Sequence, residues 1–91
     1  MISDDRIFSL SPTVSHQALG EGEGAVVLMI GNGQLYTCND TTSAFLRALD
    51  GQRTFAAAVD RLAEEFEVDR AVLRTDLAGL ASQLLEEAII V

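Results

Sequence analysis

Hydrophobic positions change their period once along this chain, near residue 39, and the change divides it into a strand-rich first part and a helical remainder. Before the change, Val26-Val27-Leu28-Met29-Ile30 and Leu35-Tyr36-Thr37-Cys38 flank Asn32-Gly33. Asn-Gly is the pair best able to take φ > 0 at both centres of a type I′ turn, so the pattern predicts a β-hairpin. A two-residue turn sets Gly31 opposite Gln34, Ile30 opposite Leu35, Met29 opposite Tyr36, Leu28 opposite Thr37 and Val27 opposite Cys38. One face then carries Val26, Leu28, Ile30, Leu35 and Thr37, the other Val27, Met29, Tyr36 and Cys38, and both are largely apolar. The pattern does not say which face the helices cover. A strand that is apolar throughout predicts a central position covered on both sides, whereas the mixed second strand reads as a sheet edge. Thr13 to Leu19 is the candidate first strand, joined through the acidic turn Gly20-Glu21-Gly22-Glu23-Gly24. The result is a three-stranded antiparallel meander.

Beyond Asn39 the spacing becomes helical. Asn39 or Asp40 can cap a short helix to Leu49, with Phe45, Leu46 and Leu49 on one side and Gly51 as its stop. Thr54 opens a second helix to about Phe66, whose stripe is Phe55, Val59, Leu62 and Phe66. Asp69 opens a third, reaching about Glu87, with Leu73, Leu77, Leu80 and Leu84 as its stripe. The apolar tail Ile89-Ile90-Val91 is expected to pack on the sheet or the first helix. Residues 1–12, polar at the start, with Ile7, Phe8 and Leu10 as possible anchors and Pro12 as a breaker, read as a loosely held arm before a domain over 13–91. The fold class is therefore α+β, with an N-terminal three-stranded sheet followed by three helices.

Composition narrows the function. The 91 residues suffice for one small core. Fourteen acids face six Arg and no Lys, a net charge of −8 that would repel phosphates, so neither nucleic acid nor an anionic membrane surface is the expected partner. The longest apolar run, Ala25 to Ile30, has six residues against the roughly 20 that span a bilayer. Met1 to Arg6 lacks the basic stretch of a secretory signal, and the protein is read as cytoplasmic. A single cysteine, Cys38, excludes an internal disulfide and reads as a small hydrophobe on a strand.

Catalytic chemistry finds little support. His16, the one histidine, has no spaced Asp, Glu or Cys to make it a metal ligand or a triad base. Glu21 and Glu23 read as a solvated turn, and Glu64, Glu65, Glu67, Glu86 and Glu87 as solvated helix faces. Gly31-Asn32-Gly33 lies in a hairpin and leads into no helix, which fails the phosphate-loop context. An acyl carrier would need Asp-Ser-Leu at a helix start, where this chain has Asp40-Thr41-Thr42-Ser43. No enzyme activity, metal or cofactor is expected. What remains is a surface: beside the leucine stripe of the third helix, Val72, Asp76, Gly79 and Gln83 recur at four, three and four residues. Gly79 inside a helix costs about 1 kcal/mol relative to Ala, and either close approach by a neighbouring segment or simple tolerance accounts for it.

In this order of elements the chain resembles the PqqD-like family, the RiPP recognition elements, over roughly Val14 to Val91. The resemblance rests on Val26-Val27-Leu28, on Gly33-Gln34-Leu35-Tyr36-Thr37-Cys38-Asn39 and on Thr42 through Gly51. It continues through Arg53-Thr54-Phe55, Leu62, Phe66, Val68-Asp69 and Asp76-Leu77. It implies a winged-helix-like domain that binds the leader of a ribosomally made precursor peptide without catalysis and presents it to a modifying enzyme or leader peptidase. In such proteins the leader adds as a strand to the third strand, in a cleft against the third helix. Carried onto this chain, the docking edge is Leu35, Tyr36, Thr37 and Cys38, opposed by Val72, Asp76, Gly79 and Gln83. Cys38 stands where many members have Leu, and Met29 where many have an acid. The apolar face that Met29 leaves fits an enzyme contact, a dimer interface or a better-covered core. The competing readings are a winged-helix DNA-binding regulator, disfavoured because Arg70 and Arg74 lie among Asp69, Asp76, Glu86 and Glu87, and a scaffolding subunit without peptide affinity.

Overall fold

The computed structural model describes residues 2–20 and 22–91; Met1, and Glu21 of the expected acidic turn, lie outside the described residues. Three helices begin where their capping side chains stand. Asn39, Thr54 and Asp69 precede α1 (Asp40–Ala48), α2 (Phe55–Phe66) and α3 (Arg70–Glu86). Their side-chain oxygens accept from the N–H groups of Thr42 at 2.8 Å, Ala57 at 3.2 Å and Val72 at 3.1 Å, satisfying donors that the first turn leaves unpaired. The strands are β1 (Ile7–Ser9), β2 (Val14–Ala18), β3 (Ala25–Met29), β4 (Gln34–Cys38) and β5 (Asp50–Thr54). As expected, β2, β3 and β4 form an antiparallel meander with β3 in the middle.

The hairpin register differs from the expected one by two residues. Met29 pairs with Gln34, Val27 with Tyr36 and Ala25 with Cys38. A type I′ turn needs φ > 0 at Asn32 as well as Gly33, and only Gly33 adopts it, at +73°. Asn32 instead spends its side chain on the loop, its Oδ1 accepting from the Gln34 N–H at 2.9 Å, while the Gly33 N–H donates to the Met29 carbonyl at 2.7 Å. Residues 30–33 therefore form a four-residue loop. A shift of two preserves the faces, because side chains alternate with period two. Val27 and Met29 are buried against the helices, which puts Tyr36 and Cys38 on the same inner face. The expectation of cover on both sides is corrected: Leu28 and Leu35 are exposed on the outer face, at 39% and 63%.

The expected loose arm is also corrected. Residues 7–9 form β1, which pairs with β5 into a second sheet absent from the hydrophobic pattern. Phe8 is fully buried and meets Phe55 edge to face at 6.3 Å, as Phe45 does from the other side. Arg74 of α3 fastens the segment before β1, its Nε donating to Asp4 at 2.7 Å and its Nη2 to the Ile2 carbonyl at 3.3 Å. The tail closes the same side: Leu10 bridges Ile90, and Ile89 and Ile90 are buried. Leu73, Leu77 and Leu84 of the α3 stripe enter the core with Ala81, while Leu80 stays half-buried.

Candidate functional site: the β4 edge and the cleft beneath α3

The direction of each backbone group on β4 follows from the ladder. At the ends of the β2–β3 pairing, the Ile30 N–H donates to Thr13 O at 2.8 Å and the Leu19 N–H to Gly24 O at 3.1 Å. Antiparallel ladders alternate bonded and non-bonded pairs, so Val26 and Leu28 turn their backbone groups to β2. Ala25, Val27 and Met29 turn theirs to β4, bonding Cys38, Tyr36 and Gln34. Leu35 and Thr37 are left with N–H and C=O aimed away from the sheet. No strand lies beyond them among the described residues.

Beside this edge, a cleft of about 300 Å³ runs between β4 and the C-terminal half of α3. Its floor is apolar: Val27, Leu46, Leu84 and Ile89 line it, each at most 6% exposed. Tyr36, Thr37 and Cys38 form the strand wall, and Leu80, Gln83 and Glu87 the helix wall. Asn39 and Thr42 close it at the start of α1. Burial pushes the Cys38 thiol above its ordinary pKa, which keeps it protonated and disfavours a nucleophilic role.

Gly24 holds the end of the strand wall in place. Its φ is +73°, and a Cβ there would stand 2.1 Å from the Cys38 carbonyl oxygen, while its N–H donates to Asp40 Oδ1 at 2.8 Å. One residue thus fixes the approach of β3 to both the end of β4 and the beginning of α1.

Of the residues singled out from sequence, Tyr36, Thr37, Cys38 and Gln83 line the cleft together. Leu35 stands on the same edge with its side chain on the outer face, and Val72, Asp76 and Gly79 lie exposed on α3 outside the lining. A Cβ at Gly79 would meet nothing within 4 Å, so no described neighbour requires glycine there. Met29 belongs to the core, which accounts for its apolar side chain without a partner. Sequence reasoning missed Asn39, seen as a capping residue, Thr42, given no role in a site, Leu80 and Leu84, taken wholly as core, and Glu87, taken as solvated. The period-3.6 row Leu80, Gln83, Leu84, Glu87 was the available signal.

His16 lies on the inner face of β2, with Nε2 3.2 Å from Ser43 Oγ, and its pKa is lowered by burial and then by the Arg47 charge. Among the described residues no three His, Cys, Asp or Glu side chains group as a metal site, and no helix is long and apolar enough to cross a membrane.

An unpaired sheet edge beside an apolar cleft against the last helix defines a small α+β domain. The chain belongs to the PqqD family, whose model, described as coenzyme PQQ synthesis protein D, matches residues 24–90. Three solved structures are similar in fold. The PqqD truncation of Methylobacterium extorquens PqqCD, described as a stand-alone RiPP recognition element, has a TM-score of 0.81 at 18% identity, covering 100% of this chain and 95% of that one. A lasso peptide synthetase B1 complexed with its leader peptide has 0.77 at 28% identity, covering 94% and 99%. TbiB1 in complex with the TbiA(beta) leader peptide has 0.78 at 20% identity, covering 90% and 93%. No curated protein matches the chain in sequence.

Proposed function

We propose that this protein is a noncatalytic module that holds the leader region of a ribosomally synthesised precursor peptide as an added strand on β4. It presents the precursor to a modifying enzyme or leader peptidase in the cytoplasm. The observation that carries the reading is the pair of outward backbone sites at Leu35 and Thr37 above an apolar cleft. Edge hydrogen bonds supply affinity independent of sequence, and the cleft takes alternate side chains of the added strand. Family membership, and the leader peptides held by two of the similar structures, support it. Within it, Leu35, Tyr36, Thr37 and Cys38 form the docking edge. Gln83 faces them from α3, and Val72, Asp76 and Gly79 are reached where the leader extends past the cleft. The net charge of −8 weighs against a duplex DNA partner.

Proline tests the edge directly. Leu35→Pro or Thr37→Pro removes an outward N–H without touching a β3–β4 bond, so each should abolish binding of a leader peptide that the unsubstituted protein binds, with modest loss of fold. Titration by fluorescence anisotropy checks it. Affinity that survives both substitutions excludes strand addition, and a gel shift at micromolar protein and low salt would favour the DNA-binding alternative.

A further inference from the structure

The cleft is charged in one sense only. Glu87 lines it, and no Arg among the described residues does; the chain has no Lys. Several arginines have partners elsewhere. Arg70 pairs with Asp60 and Arg74 with Asp4. Arg53 donates to the Ala48 carbonyl at 2.7 Å, and Arg6 lies 5.0 Å over the Phe8 ring.

Glu87 also occupies an unfavourable place. It is the C-cap of α3, it follows Glu86, and the last turn holds no basic residue. Carbonyl groups at a helix C-terminus carry partial negative charge and favour cations, so a carboxylate there opposes the helix it ends. A local rule broken at the wall of a cleft points to a compensating group that arrives with a ligand.

We infer that the strand received by β4 carries a basic residue two positions from an apolar one. The inference rests on the leader-binding reading of the same cleft. Side chains two apart on a strand share a face about 6.5 Å from each other. The apolar member rests on the floor made by Val27, Leu46 and Leu84, and the basic member meets Glu87 and the last carbonyls of α3. Arg or Lys would serve, since the site offers a negative end and not a planar fork.

Panning a phage-displayed library of random dodecamers against the whole chain and against Glu87→Lys tests this. Wild type should enrich peptides with Arg or Lys two positions from an aliphatic or aromatic residue, and Glu87→Lys should enrich Asp or Glu at that position. Glu87→Gln should weaken a selected basic peptide by about two- to fivefold, the worth of one partly exposed ion pair. It should leave the melting temperature unchanged or raised, because it relieves the helix end. Enrichment without charge bias, or a bias that Glu87→Lys does not alter, overturns the inference and leaves strand addition standing. If the folded wild type enriches no peptide, the leader-binding reading falls and the inference falls with it.

Discussion

On one side of the molecule, β1 pairs with β5, Leu10 bridges Ile90, and Ser9 exchanges bonds with Val91 at 3.1 and 2.9 Å. The segment around Ser9 and the tail to Val91 are thereby tied to each other next to the buried Phe8. At β4, by contrast, the larger sheet ends with Leu35 and Thr37 unbonded, and among the described residues no further strand lies beyond them. An exposed edge is a hazard that proteins usually blunt with charge, proline or a covering element. Here none of the five residues of β4 is charged or proline. On the proposed reading, function resides where the backbone ladder is left unfinished.

Phe8→Ala should break the closed side most severely. Phe8 is fully buried between aromatic and aliphatic neighbours, and its truncation costs about 3–5 kcal/mol. That is a large part of the 5–15 kcal/mol typical of a domain, and a chemical denaturation curve would register it. Next in size is Gly24→Ala, at the junction that shapes the open side. Left-handed backbone at a non-glycine residue costs about 1–3 kcal/mol, and the 2.1 Å approach to the Cys38 carbonyl adds to it. Unlike Phe8→Ala, it should weaken leader affinity at temperatures where the protein is still folded, because the strand wall must shift. A variant with wild-type affinity would detach the cleft geometry from this junction.

The smallest effect concerns His16, which joins β2 to α1 through Ser43. Its folded pKa is lowered by burial and by Arg47, so as pH falls through 6.5 the unfolded chain takes up the proton first. The stability contributed by neutral His16 is thus present above that pH and lost progressively below it. Denaturation midpoints between pH 7.5 and 5 should fall more for wild type than for His16→Gln. Equal slopes would assign the acid sensitivity to carboxylates alone.

These elements were not equally legible in the sequence. Helix starts at Asn39, Thr54 and Asp69 were readable because a capping side chain acts on its own first turn, and the meander because β3 is apolar from end to end. Strand β5, Asp50-Gly-Gln-Arg-Thr, has no periodic apolar residues; it pairs with β1, which lies far earlier in the chain. The same long-range contact made Phe8 look like part of an arm. The turn failed for a different reason. Asn-Gly permits a type I′ geometry but does not enforce it, and Asn32 finds a side-chain bond to Gln34 in a longer loop. At the cleft, the strand wall was legible as an edge, whereas the helix wall was placed one flank away, on Val72, Asp76 and Gly79. Leu80 and Leu84 belong at once to the core stripe and to the cleft, and periodicity alone cannot divide one row of residues between two surfaces.

Strand addition makes a prediction that other modes of peptide binding do not. Amide hydrogen exchange read residue by residue by NMR, without and with a saturating leader peptide, examines each β4 N–H separately. In the unbound protein Tyr36 should be protected by β3 while Leu35 and Thr37 exchange fast. With leader bound, protection should appear at Leu35 and Thr37 in alternation, leaving Tyr36 little changed. Protection confined to α3, or a rise that is uniform along β4 without alternation, would contradict an added strand.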